Sequence, residues 1–288
     1  MGLEIIDKLT EFNFDTIDEN MVAFRWLGQS GFEIIGQGKH IFIDPYLSDF
    51  LAKKYAGKKY EHKRMMPIPV KPENIKGLDY ILCTHRHSDH MDPETLPVLM
   101  EMNPDCKLIA PRGETEHVIN LGLETKNVIF VNADDTLDLS PEVSLEVIPS
   151  AHEELYADAK GNHYFLGYIL RFGKISIYHS GDCVPYAGLA ERIKSGNIDL
   201  AMLPVNGRDE YRKSMGVPGN FSFEECLKLC KEAEVPTMIC HHFGMFDFNT
   251  VDSEQLVDKA QAAGEKVHCV VPQTGLMYQL SELMKEAE

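Results

Sequence analysis

Three short apolar runs open the interpretable part of the chain, at residues 22–27, 31–35 and 40–43, with Gly36-Gln37-Gly38 between the last two. Runs of this length bounded by turn residues predict β-strands. Similar runs at 79–83, 107–110, 127–131, 144–149, 164–172, 174–179, 199–204, 237–240 and 266–271 predict nine more. Between them, apolar residues recur at helical spacing over 93–102, 114–121, 185–195, 222–233 and 253–263. Ser222-Phe223-Glu224-Glu225 and Ser253-Glu254-Gln255 read as helix starts, and Pro97 is expected to kink or shorten the first helix. Strands followed by a strand–helix alternation predict an α/β fold of sheets covered by helices on their outer faces. No repeat or linker divides the chain, so a single domain over residues 1–288 is expected.

Composition narrows the partners. With 28 basic and 45 acidic residues the net charge is −17, which argues against a nucleic-acid surface or an anionic membrane. No apolar run approaches the ~20 residues of a membrane span. Glu4 and Asp7 stand where a signal peptide needs a basic start, so a cytoplasmic protein is expected. The seven cysteines (83, 106, 183, 226, 230, 240 and 269) contain no C-x-x-C pair and predict no disulfide framework. Cys226 and Cys230 read as small core residues of a helix, which suits a reducing compartment. Homo-oligomer formation is left open.

The chemistry concentrates at Thr84-His85-Arg86-His87-Ser88-Asp89-His90, straight after the strand at 79–83. Neutral imidazoles and a carboxylate suit zinc and other first-row divalent metals. In extended chain, residues two apart point the same way, so His85 and His87 can converge on one ion. Asp89 and His90 follow as the chain turns and can face a second ion. Asp92-Pro93 reads as a helix start, which places the cluster on a loop between a strand end and a helix.

Other strand ends carry residues of the same type. Asp44 follows the strand at 40–43, His152 the one at 144–149, Asp182 the one at 174–179, and His241 and His242 the one at 237–240. Each alone reads as a hydrogen-bonded strand-end group, but their shared position and the first cluster together favour a metal centre. His40, His62, His117 and His268 lack partners at ligand spacing and read as structural.

In this order Asp44, the cluster at 85–90, His152, Asp182 and a terminal His resemble the signatures of the metallo-β-lactamase superfamily, over roughly residues 22–272. Trp26-Leu27-Gly28-Gln29-Ser30-Gly31, Tyr178-His179-Ser180-Gly181-Asp182 and His241-His242-Phe243-Gly244 look most like its L-ascorbate-6-phosphate lactonase branch. The resemblance implies an αββα sandwich with two divalent metal ions, Zn or Mn. It implies His85, His87 and His152 on one ion and Asp89, His90 and a terminal His on the other, with Asp182 bridging. Asp44 would orient a ligand imidazole. His242-Phe243-Gly244-Met245-Phe246 matches the family pattern better than a frame starting at His241, so His242 is the expected ligand, while His241 and His179 would support the site.

Two ions about 3.5–4 Å apart lower the pKa of a bound water from about 15.7 to roughly 7. The implied activity is metal-dependent hydrolysis, led by the opening of a sugar-phosphate lactone such as L-ascorbate 6-phosphate, with Asp182 and Asp89 as catalytic carboxylates. Alternatives are a phosphodiesterase of the same superfamily, an iron-dependent redox metalloprotein, or a non-catalytic binding module. A small anionic, phosphorylated substrate needs local cations in so acidic a chain. Two basic groups offer them, residues 53–64 and the set Arg208, Arg212 and Lys213. Arg208, at an expected strand end, is the preferred phosphate contact.

Overall fold

The computed structural model describes residues 2–6, 17–18, 20–264 and 267–281. One sheet contains β1 (Gly2–Ile6), β2 (Met21–Gly28), β3 (Gly31–Gly36), β4 (Lys39–Ile43), β5 (Tyr80–Leu82), β6 (Lys107–Pro111) and β7 (Val128–Val131). The other holds β8 (Thr136–Ser140), β9 (Val143–Pro149), β10 (Leu166–Phe172), β11 (Ile175–His179), β12 (Leu200–Pro204), β13 (Thr237–His241) and β14 (His268–Val270). The last described strand, β15 (Met277–Ser281), returns to the first sheet and lies between β1 and β2. The helices are α1 (Phe50–Lys54), α2 (Thr95–Met102), α3 (Thr115–Asn120), α4 (Leu189–Ser195), α5 (Glu210–Ser214), α6 (Phe223–Glu232) and α7 (Ser253–Ala262).

Period-two alternation builds the layers. Ile41, Ile43, Leu82 and Ile109 enter the core between the sheets, packing with Val147, Tyr168, Ile177 and Met202. Their neighbours Phe42, Ile81, Cys83, Leu108 and Ala110 face the other way and pack with Leu96 and Leu99 of α2 and Val118 of α3. On the second sheet, α6 covers β12 and β13 and α7 covers β14. This is the αββα arrangement of the metallo-β-lactamase fold.

Differences from the expected elements have local causes. Helix α2 is shorter than the expected 93–102: it begins at Thr95, which puts Pro97 in the first turn, where its missing N–H has no helical partner to lose. Ser222 and Glu225 form the expected capping box of α6, but α7 is capped by Asp252, whose side chain accepts from Gln255 N, one residue earlier than expected. Strands β1, β8 and β15 and helices α1 and α5 were not expected. Lys266, included in an expected strand, lies outside the described residues.

Strands β4 to β7 run parallel, as do β11 to β14. The chain therefore leaves β4, β5, β11 and β13 in loops whose polar residues meet at one end of the sandwich, as ligand sites of parallel sheets do.

Candidate metal centre

Two groups of donors come together there. Nitrogen or oxygen atoms of His85, His87, His152 and Asp182 lie within 4.8 Å of one another, and so do those of Asp89, His90 and His242. Asp182 touches members of both groups. Its Oδ2 is 3.6 Å from His152 Nε2 and 3.2 Å from His242 Nε2, and its Oδ1 is 3.3 Å from His90 Nε2. Within the second group Asp89 Oδ2 stands 3.9 Å from His90 Nε2 and 3.8 Å from His242 Nε2.

The rings are aimed by hydrogen bonds at their far nitrogens. His90 Nδ1 donates to Asp44 Oδ2 at 2.7 Å, while Asp44 also accepts from Thr84 N at 2.8 Å and Thr84 Oγ1 at 2.7 Å. His152 Nδ1 donates to the Gly219 carbonyl at 3.1 Å. Both partners leave Nε2 facing the cluster. Gln29, unassigned in the sequence, donates to Asp89 Oδ2 at 2.8 Å and sits 3.1 Å from His242 Nε2. Its signal lay inside the Trp26–Gly31 motif but carried no ligand chemistry of its own.

Adjacent residues at the end of β13 point to opposite sides. His242, at a φ of 60°, turns into the cluster. His241 turns beneath it, where its Nδ1 lies 3.2 Å from Ser30 Oγ and its ring stacks on His179 at 4.9 Å. His179 donates from Nε2 to the Ser30 carbonyl at 2.9 Å and accepts at Nδ1 from Gly181 N at 3.1 Å, fixing the backbone beside Asp182. Gly181 has a φ of 60°, and a Cβ there would fall 2.8 Å from Thr84 Cβ, so only glycine lets this turn approach the His85 loop.

These residues fit a pair of cations. Burial holds His85 well below its ordinary pKa and His87 at about 4, with neighbouring imidazoles adding to the effect, so both are neutral as ligand imidazoles must be. Burial opposes ionisation of Asp182, but favourable interactions with the neighbouring His242 and His90 rings outweigh it and hold the carboxyl well below its usual range. His90 Nε2, His152 Nε2 and Asp182 Oδ1 are buried without a hydrogen-bond partner. Such atoms are costly unless something satisfies them, and all three face the same space.

The donors form the floor of a cleft of about 580 Å³. Its walls come from three segments with no ligand pattern: Leu51 to His62, which supplies Lys54, Tyr55, Lys58, Lys59 and Tyr60, Met215 to Pro218, and the loop after β13 with Phe246 and Phe248. His62 and His117, read as structural, also line it. Arg208 does not. Its guanidinium is taken by the Glu225 carboxylate at 2.7 and 2.6 Å and by the Asn220 carbonyl at 3.0 Å, so it is a tie between loop and helix rather than a free phosphate contact. Arg212 is bound by Asp209 and Lys213 lies 3.5 Å from Glu153. Of the two basic groups, the one at 53–64 reaches the cleft, through Lys54, Lys58 and Lys59.

Residues 39–243 match the family model described as "Beta-lactamase superfamily domain". The chain belongs to the metallo-β-lactamase superfamily. A UPF0173 metal-dependent hydrolase of Thermoplasma acidophilum is 28% identical over 251 residues, covering 86% of this chain and 94% of that one. The N-acyl-phosphatidylethanolamine-hydrolyzing phospholipase D of Saccharomyces cerevisiae mitochondria is 27% identical over 264 residues, covering 87% of this chain. The chain spans 54% of that enzyme's length. Among solved structures, an isothiocyanate hydrolase from Delia radicum gut bacteria superposes with a TM-score of 0.74 at 18% identity, covering 91% of this chain and all of that one, which speaks for the shared fold. The Thermoplasma relative is named as a metal-dependent hydrolase. None of these relatives is described as a lactonase. No described helix is long and apolar enough to cross a membrane.

Proposed function

We propose that the protein hydrolyses a small anionic ester with two divalent ions, Zn or Mn, held by His85, His87, His152 and Asp182 on one side and Asp89, His90, His242 and Asp182 on the other. The observation that carries this reading is the position of Asp182, within 3.6 Å of imidazoles in both donor groups. When bound, such a pair supplies a water of lowered pKa and electrophilic stabilisation of an oxyanion. The protein's own residues do the rest. Asp44 and the Gly219 carbonyl fix the tautomers of His90 and His152, and Gln29 fixes Asp89. The Asp89 side chain is 17% exposed against 5% for Asp182, so Asp89 is the carboxylate that takes a proton on the substrate side and returns it to the leaving oxygen.

A phosphodiester is the favoured substrate class. The cations at the cleft suit a phosphate, and the yeast relative is named for a phospholipase D activity. A lactone remains the second reading, motivated by the motifs at residues 26–31, 178–182 and 241–244. Buried thiols, six of the seven cysteines, suit a reducing compartment, and the cytoplasm is our placement.

The test is a panel of phosphodiesters, lactones and simple esters with metal-loaded protein and with Asp182→Asn. Turnover of a diester that is lost in the variant and on chelation, and returns with Zn or Mn, supports the reading. Full activity in the chelated protein sinks it, and turnover confined to lactones moves the substrate to the second class.

A further inference from the structure

The cleft sorts its cations in an uneven way. Around its mouth, Lys53 is paired with Glu94 at 2.7 Å, Lys63 with Glu61, and Lys213 lies 3.5 Å from Glu153. The cations that line it are held differently. Lys54 Nζ contacts Ser88 Oγ at 3.5 Å and lies 5.5 Å from the Tyr55 ring centre, and Lys58 Nζ lies 4.7 Å from the same ring. Neither ammonium has a carboxylate within salt-bridge reach among the described residues. Arg86, between His85 and His87, stands 3.8 Å from Glu114. In a chain of net charge −17, Lys54 and Lys58 line the cleft without a carboxylate partner of their own among the described residues, and an incoming anion can take that place.

Next to these cations stands a wall of rings. Tyr55 stacks on His62 with centroids 4.1 Å apart, His62 meets Phe248 at 4.7 Å and Phe246 at 5.0 Å, and Tyr60 meets Phe248 at 5.0 Å. Two segments distant in sequence thus bring rings to the same cleft as the ammonium groups.

The geometry points to a two-part specificity site: Lys54, Lys58 and Arg86 hold a phosphate-like anion beside the metal centre, and the ring wall takes a planar apolar portion of the same molecule. This deepens the hydrolase reading and rests on it for the role of the site, while binding itself is separable from turnover. Several charge-assisted hydrogen bonds to one anion offset the solvent exposure of each cation, and ring stacking adds selectivity without demanding one chemical identity.

Binding of 1-naphthylmethylphosphonate, methylphosphonate and 1-naphthylmethanol to the metal-loaded protein, measured by calorimetry, tests it. The phosphonates carry a C–P bond in place of an ester and are not substrates for hydrolysis. Naphthylmethylphosphonate is expected to bind more tightly than either part alone. The double variant Lys54→Ala/Arg86→Ala should weaken both phosphonates about tenfold or more and leave naphthylmethanol unchanged. Phe248→Leu, which keeps an apolar side chain but removes the ring, should weaken the naphthyl compounds and spare methylphosphonate. No measurable binding, equal affinity for both phosphonates, or equal losses on charged and neutral probes overturns the assignment. Failure to turn over any ester would instead defeat the hydrolase reading and leave this binding pattern intact.

Discussion

Asp44 and His90 are joined at 2.7 Å between Asp44 Oδ2 and His90 Nδ1, with both side chains fully buried. The carboxylate stands at the end of β4 and the imidazole at the end of the loop after β5, so the bond crosses from one parallel strand to the next and turns His90 Nε2 toward Asp182. Asp44 has a φ of 45°, a conformation that Asn tolerates nearly as well as Asp.

Asp44→Asn should therefore fold while losing the negative charge behind His90. Loss of such a support typically costs 10–100-fold in metal affinity. Competitive titration with a chromophoric chelator is expected to show that loss at one ion. An unchanged affinity would mean that His90 needs no carboxylate to ligate.

His242 and His241 separate cleanly by metal count. His242→Ala should retain about one ion in place of two, because Nε2 of His242 faces Asp182 and Asp89. His241→Ala should retain two, since that ring lies against Ser30 and His179. Elemental analysis of both purified variants reads the result, and loss confined to the His241 variant reverses the assignment.

Arg208→Ala should leave the kinetics toward anionic and neutral substrates alike. Its guanidinium is already engaged by Glu225, which also closes the capping box of α6. The pair is about one third exposed, so its loss costs about 1 kcal/mol or less. A small fall in Tm with unchanged KM is expected, and a selective rise in KM for phosphorylated substrates would restore Arg208 as a phosphate contact.

Glu114 supplies a pH dependence. Burial raises its carboxyl pKa, and the nearby Arg86 offsets this only in part. A carboxyl whose folded pKa is raised destabilises the fold once pH climbs above the unfolded value near 4.3, and the penalty persists at neutral pH. Glu114→Gln removes the ionisation, so Tm should rise at pH 7 relative to the parent and match it near pH 4, by about 2–4 °C for each kcal/mol recovered. Equal shifts at both pH values would point to packing rather than charge.

The gathering of candidate ligands at the strand ends was legible because metal chemistry demands particular residue types and parallel strands deliver them to one edge. Asp44, His85, His87, Asp89, His90, His152, Asp182 and His242 all reach that edge. The choice between His241 and His242 was readable only from a short pattern, and the alternation of strand faces decides the orientation. The cleft walls were not legible. Tyr55, His62 and Phe248 meet through tertiary packing between segments almost two hundred residues apart, and no local spacing announces it. Arg208 was misplaced for a related reason, since its partner Glu225 lies 17 residues onward in a helix start whose capping role was visible but whose second bond was not. Strands β1 and β15 escaped notice because each is short and finds its pairing only in the other and in β2.

That last pairing has a consequence for how the molecule is made. Gly2 stands opposite Ser281 and Val22 opposite Leu280, so β15 occupies the slot that would otherwise leave one side of β2 bare. A ribosome has to deliver residue 281 before the eight-stranded sheet can close, although β2 to β7 and their covering helices are complete much earlier. Until then the nascent chain carries an open hydrogen-bonding edge on β2, the kind of edge that recruits strands from other molecules. Closure across almost the whole chain length is also among the slowest contacts to form. β15 thus bridges β1 to β2, and the interval before it pairs is when the β2 edge is exposed to other strands.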